Sequence, residues 1–375
     1  MGTALRSSPV VDETREICQN KPMRPAVIDV FCGIGALSYG FQREGFRVLT
    51  GIDSDASCRF AFETNVRGAA FQAEDVTRIS ATELRRRFAS HPPAKRILIG
   101  CAPCTPFSMY VGRYKKKRRK SDGRWQLLKE FGRLVLATKP AVISMENVPR
   151  LTRHPVFRQF VRHLRTAGYH VTFKVLRAHH FGVPQRRSRL VLLASRFGPI
   201  ELPRPTHRET PLTVRQAIGH LPAIKAGESC PRDRLHRARG LSEQNLRRIK
   251  STVEGGSWRD WDSRLQLDCH RRKAGKSFRS VYGRMRWDAP SPVITTQCLG
   301  IGNGRFGHPK QHRAISIREA AILQTFPKAF RFVPPRAPIS GLQLARQIGN
   351  AVPVRLARLI ARAIQDHLAL HEKAR

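Results

Sequence analysis

Short apolar runs recur along the first half of the chain, each closed by glycine, an acidic residue or a small polar one. AVIDVF (26–31), RVLTGID (47–53), RILIG (96–100), AVISME (141–146) and RLVLLAS (189–195) are too short for helices and mostly apolar on both faces. Runs of that kind read as buried parallel strands. Between them, stretches such as ALSYGFQREGF and FGRLVLATK carry helical spacing. Strands alternating with helices predict a doubly wound α/β sheet, whose ligands bind beyond the carboxyl ends of the strands. From about 200 to 290 the texture changes, and Pro, Gly, His, Trp and Arg accumulate, as in HRETPLTVRQAIGHLP and EGGSWRDWDSRLQ. A second, smaller and irregular domain is expected there. VRLARLIARAIQDHLA (354–369) predicts a closing amphipathic helix. The expected division is a loose leader over 1–24, a catalytic and cofactor-binding domain over 25–200 and 340–375, and the irregular domain over 200–340.

Charge narrows the choice of partner. Lys and Arg number 69 against 27 Asp and Glu, a formal net charge of +42. Such an imbalance suits a polyanion, with nucleic acid the first expectation. The positive charge is spread along the chain rather than along one amphipathic helix, which argues against an anionic membrane surface. Eight irregularly spaced cysteines form no disulfide framework. The N-terminus lacks the apolar core of a signal peptide, and no run has the length of a membrane span. An intracellular, soluble protein is expected.

The residues that follow each strand carry the candidate chemistry. In DVFCGIGALS (29–38), Gly33 and Gly35 allow the backbone to approach a ligand closely, or serve only a tight strand-to-helix turn. Ser38 breaks the usual dinucleotide fingerprint, which wants Gly or Ala there. Asp53, followed by Ser54 and Asp55, can accept both hydroxyls of a ribose, and Asp75 in AEDV (73–76) can accept from an adenine amino group. The pair, in that order, favours an adenosyl cofactor. GCAPCTPFS (100–108) holds Cys101 and Cys104, readable as a redox pair, half of a zinc site, or one nucleophile beside a bystander. MENVPRL (145–151) puts Glu146 and Asn147 at the same edge, and FGVPQRRSR (181–189) spaces Arg187 and Arg189 by two, so that both should face one side. The run Lys115, Lys116, Lys117, Arg118, Arg119 and Lys120 suits phosphate contacts, a solvated surface or a nuclear-targeting signal.

Taken in order, FCGIGALSYGF, GCAPCTPFS, MENV, QRRSR and QIGNAVP (347–353) resemble the motifs of DNA (cytosine-5)-methyltransferases of prokaryotic type, and SIREAAILQTFP (316–327) resembles another. The resemblance runs from about residue 26 to 365, with two departures: Thr105 where the family usually has Gln, and Ala36 in place of a common Gly. It implies a Rossmann-like S-adenosylmethionine-dependent methyltransferase sheet with a target-recognition domain at about 200–310. Cys104 would be the nucleophile, Glu146 the acid at ring nitrogen 3, and an arginine, Arg189 in preference to Arg187, the donor to the base's carbonyl oxygen. Asn147 would orient Pro103 and the nucleophile loop.

The cofactor is expected to be S-adenosylmethionine, seated by Phe31, Gly33, Ile34 and Gly35. Asp53 and Ser54 would then lie at the ribose and adenine, Asp75 and Val76 at the adenine edge, and Asn350 and Ala351 near the methionine end. To bring the late motif there, the C-terminal helix should pack against the first strand. No metal is expected: the chain has no second CxxC, and a dithiol site does not call for the other motifs, which leaves Cys101 a bystander. The basic run after Cys104 would neutralise phosphates of double-stranded DNA around a flipped base. A cognate restriction endonuclease is a candidate partner, the chain is expected to be a monomer, and its place the bacterial cytoplasm. A tRNA-directed enzyme and an inactive DNA-binding paralogue are the alternatives.

Overall fold

The computed structural model describes residues 23–103, 126–272 and 275–373. Seven strands form one sheet: β1 (Ala26–Val30), β2 (Arg47–Asp53), β3 (Ala70–Ala73), β4 (Arg96–Gly100), β5 (Val142–Asn147), β6 (His170–Arg177) and β7 (Ser188–Ser195). Their order is β3-β2-β1-β4-β5-β7-β6. The first five pair in parallel, whereas β7 runs antiparallel to both β5 and β6. All five apolar runs are strands. The strand β6 carries a mixture of exposed and half-buried side chains, as an edge strand with one neighbour can, and its pattern gave no continuous apolar run.

The sheet is covered on both faces because its strands alternate. Ile28, Val30, Leu98, Ile143, Met145, Leu190 and Leu192 point into one apolar layer. Helices α3 (Ala81–Arg87), α4 (Gln126–Thr138) and α5 (Pro155–Thr166) close that layer through Leu84, Phe131, Leu134, Phe157 and Phe160. Val27, Ile97, Ile99, Val191 and Leu193 point the other way. That face meets α1 (Ala36–Arg43) and α2 (Arg59–Asn65), which join β1 to β2 and β2 to β3, and the closing helix of the chain. The same layer runs on without a break into Met285, Ile294, Phe306 and Ile315.

The segment from 200 to 315 is irregular, as its composition predicts. Its described residues form α6 (Val214–Ile218), the short strands β8 (Ser229–Cys230) and β9 (Asp233–Arg237), α7 (Glu243–Lys250), α8 (Asp268–Arg271) and several single 3-10 turns. Loop carbonyls without a ladder need other donors, and a guanidinium offers five. Arg284, 2% exposed, donates to the carbonyls of Ile249 and Thr252 at 2.7 and 2.6 Å and to that of His308 at 2.7 Å. Burial pushes its pKa down to about 10. Arg305 does the same for Gly256 and Arg284, at 2.6 and 3.2 Å. Part of the arginine excess is therefore internal scaffolding.

The chain returns to the sheet through α9 (Ile317–Leu323), α10 (Gly341–Asn350) and α11 (Val354–Lys373). Ser316 and Glu319 form a capping box at the start of α9: Ser316 Oγ accepts from the Glu319 amide at 3.1 Å, and Glu319 returns the bond at 2.7 Å. The closing helix packs chiefly on α1 and not, as expected, on the first strand. Gly40 permits this approach, since a Cβ there would lie 2.5 Å from that of Ala357. At the edge of the contact Arg358 and Arg362 converge on Glu44, at 2.5 and 3.0 Å. Among the described residues no helix is long and apolar enough to cross a membrane.

Candidate active site

The strand order reverses between β1 and β4, and the crevice at their carboxyl ends is where an open α/β sheet binds its ligands. Leaving β1, the backbone turns sharply: the amides of Phe31 and Cys32 both donate to the Ile52 carbonyl, at 2.8 and 3.1 Å. Phe31 has φ +66°, a conformation side-chain-bearing residues rarely adopt and one that clusters at functional sites. Gly33 and Gly35 follow with φ +51° and +83°. Their reasons differ. A Cβ on Gly33 would meet nothing within 4 Å, so that glycine borders open space, whereas one on Gly35 would press on Phe62 at 2.8 Å.

One cleft gathers Phe31, Gly33, Ile34, Asp53, Asn350 and Ala351 of the predicted cofactor residues. Asp53 fixes the turn, accepting from the amides of Gly33 and Asp55 at 2.8 and 2.9 Å. Burial raises its pKa, against the pull of those amides. Gly35 packs behind the cleft. Ser54, Asp75 and Val76 do not line it. Asp75 instead caps the turn after β3, accepting from the Thr77 amide and hydroxyl at 2.8 Å each, and these bonds hold its pKa low. Val76 is buried in the core and Ser54 is exposed.

Sequence reasoning passed over Asp55, Cys58, Arg346 and Gln347 as wall residues. Arg346 donates to Asp55 at 2.7 Å and Gln347 to Ser57 Oγ at 3.1 Å. A signal for the last two existed, since they precede Asn350 by four and three positions and so share its helix face. Below the turn lies Asp29, fully buried, its Oδ2 accepting from Ser38 at 2.6 Å and its Oδ1 without a hydrogen-bond partner. Burial pushes its pKa up to about 7. Two carboxyl groups, Asp53 and Asp55, thus line a cleft in a strongly basic chain, and an open glycine borders it. That chemistry fits the cationic sulfonium, amino group and ribose of S-adenosylmethionine.

The second half of the site grows from β4 and β5. Gly100 ends β4 where a Cβ would touch Phe131 and the Val30 carbonyl, both at 2.9 Å. Asn147 donates to the Ala102 carbonyl at 3.0 Å and so braces the turn that carries Pro103 into the cleft wall. Glu146, 2% exposed, stands beside it. Its Oε1 lies 2.9 Å from Arg189 Nε, and its Oε2 accepts from the Cys101 thiol at 3.0 Å. Cys104 and the basic run of Lys115, Lys116, Lys117, Arg118, Arg119 and Lys120 lie outside the described residues, as does Thr105. Among the described residues no three His, Cys, Asp or Glu side chains are grouped to hold a metal ion.

Arg187 lies one residue before β7, which begins at Ser188, and its contacts differ from those of Arg189. It is buried, donating to the carbonyls of Ile294, Gly349 and Ala351 at 3.2–3.3 Å. It clamps the late motif against the irregular segment, while Arg189 stands at Glu146. A buried amide network extends that clamp. Gln185 accepts from the Ile294 amide at 3.0 Å and donates to Gln324 Oε1 at 2.9 Å, while Gln324 donates to the Ile348 carbonyl at 2.6 Å. Gly349 completes it, since a Cβ there would overlap the Thr295 backbone at 2.3 Å. Four motifs far apart in sequence, QRRSR, VITTQ, QTFP and QIGNAVP, are thereby one packed unit. Next to it a groove runs between Arg237, Arg239, Gln297, Asn303 and Leu342. Neither arginine has an acidic partner among the described residues.

An open, mostly parallel sheet with a glycine turn and an acid at successive strand ends is the Rossmann-like frame of S-adenosylmethionine-dependent methyltransferases. The chain belongs to the C-5 cytosine-specific DNA methylase family, whose model matches residues 26–366. It is 46% identical over 355 residues to the type II methylase M.HgiDII of Herpetosiphon aurantiacus, covering 93% of this chain and 98% of that one. It is 36% identical over 349 residues to the type II methyltransferase M1.HphI of Haemophilus parahaemolyticus, covering 90% and 86%. Among solved structures, a putative DNA modification methyltransferase encoded within an E. coli prophage superposes with a TM-score of 0.71 at 23% identity, over 92% of this chain and 99% of that one. The S. pombe Dnmt2 methyltransferase shares the fold, with a TM-score of 0.57 at 16% identity and the same coverage. The protein is a DNA (cytosine-5-)-methyltransferase.

Proposed function

We propose that this chain methylates carbon 5 of a cytosine flipped out of duplex DNA at a specific sequence, through a transient bond from Cys104 to carbon 6. The observation that supports this most is Glu146, buried at the end of β5 with Arg189 beside one oxygen and the Cys101 thiol donating to the other, next to the Asn147-braced turn that precedes Cys104. Carbon 5 of cytosine is too weak a nucleophile to take a methyl group unaided. Addition of the Cys104 thiolate at carbon 6 pushes electrons onto ring nitrogen 3, where Glu146 supplies a proton. Carbon 5 of the resulting enamine is nucleophilic. S-adenosylmethionine, held by Phe31, Gly33, Ile34, Asp53, Asn350 and Ala351, supplies the electrophilic methyl group. Loss of the carbon 5 proton to a base, with return of the nitrogen 3 proton to Glu146, then expels Cys104 and restores the ring. Arg189 holds Glu146 and keeps further guanidinium donors for the base's carbonyl oxygen.

In this reading the segment from 200 to 340 is the target-recognition domain, with Arg237, Arg239 and Gln297 on the groove that faces DNA. The run from Lys115 to Lys120 neutralises phosphates. Relatives carrying type II names support a role in bacterial modification beside a cognate endonuclease; the enzyme would act there as a cytoplasmic monomer. Expression in a host without cytosine methylation, followed by bisulfite sequencing of a plasmid, tests the whole. The expected result is 5-methylcytosine confined to one short sequence and lost in Cys104→Ser. An unmethylated plasmid with the wild-type enzyme present and folded would overturn it.

A further inference from the structure

We propose that Cys101 is a positioning residue for Glu146, and not the bystander its place before the nucleophile suggests; the proposal rests on Glu146 being the acid at ring nitrogen 3. The strands β4 and β5 pair in parallel with Gly100 opposite Met145. Cys101 follows just past the end of β4 and Glu146 is the next residue of β5, so the pairing brings the two close. The thiol donates to Oε2 at 3.0 Å, and Arg189 approaches Oε1 at 2.9 Å from β7 on the other flank. A carboxyl gripped by one ion pair still turns about its terminal torsion, which is broad and soft. The hydrogen bond from the thiol to the second oxygen narrows that freedom.

Orientation of that kind is worth most where a proton must meet a ring nitrogen as charge develops. A thiol suits the task because it is a weak donor. It holds the acid in the waiting enzyme and yields to an incoming base more readily than a hydroxyl or an ammonium would. Cys101 also lines the cofactor cleft, so a merely packing role there is the rival, and the two roles have different kinetic signatures.

Steady-state methylation of a duplex carrying the target is measured for the full-length wild type, Cys101→Ala and Cys101→Ser, with melting temperatures in parallel. The expected result is a kcat about tenfold lower in Cys101→Ala, with KM for S-adenosylmethionine within about twofold and an unchanged melting temperature. Cys101→Ser, which keeps a donor, recovers to within about threefold of wild type. The proposal is overturned if both variants match the wild type, if both are impaired alike, or if the loss lies in KM for S-adenosylmethionine or in stability. Wild-type turnover in the same assay tests the assignment of Glu146 separately: its absence would sink the underlying reading and not the hydrogen bond alone.

Discussion

Asp29 shows how much one buried carboxyl can carry. Its pKa, about 7 in the folded chain against an ordinary 3.8, is raised by burial, with Ser38 pulling the other way. A raised carboxyl binds its proton more tightly when folded, so its contribution is fully present below the ordinary value and is lost as pH rises toward 7. At about 1.4 kcal/mol per unit, the loss is roughly 4 kcal/mol across that window. The expected outcome is a melting temperature that falls between pH 5 and 7.5 in the wild type and falls much less in Asp29→Asn. Equal slopes in the two proteins would contradict the assignment. At this scale the sequence was partly legible. Asp53, Glu146 and Asn147 stood out in the sequence because they close apolar runs, which are strands. Asp75 follows one too, and one of its carboxylate oxygens caps the next turn, a bond that nothing in AEDV announced. Arg187 was legible as a neighbour of Arg189, but its carbonyl partners at Ile294, Gly349 and Ala351 lie far along the chain and leave no local signal.

Among the elements, α9 depends most on one ion pair. Arg313 and Glu319 are fully buried and joined through two 2.7 Å bonds, and Arg313 Nε reaches the Ile224 carbonyl at 3.1 Å. Burial opposes the charge on Glu319, but Arg313 outweighs it and holds the carboxyl below its ordinary value. Removing one partner leaves the other's charge buried and alone, at a cost of about 3–5 kcal/mol. Arg313→Met is therefore expected to lower the denaturant midpoint sharply, and adding Glu319→Leu to recover most of the loss. A single variant as stable as the wild type would refute the pair's role. Most elements of the sheet were legible as apolar runs. The antiparallel β7 was not, because a fully buried strand reads the same in either direction.

At the scale of the whole molecule, the site exists because the chain doubles back. The late motif reaches the end of β1 only through α11 lying on α1, and the irregular segment is fastened there by Arg187, Gln185 and Gln324. Glutamines and arginines of this sort leave no periodicity, so the order of motifs was visible and their convergence was not. The basic composition pointed to a polyanion, while Arg284 and Arg313 show that some of that charge never meets solvent. The most direct test of the account is covalent capture. Purified enzyme, S-adenosylmethionine and duplex DNA bearing 5-fluorocytosine at the target should give a denaturation-resistant complex, because fluorine blocks loss of the carbon 5 substituent. Peptide mapping should place the bond on Cys104. Enzyme that methylates ordinary DNA but captures none of the fluorinated duplex, or a bond mapped to Cys101, would contradict it.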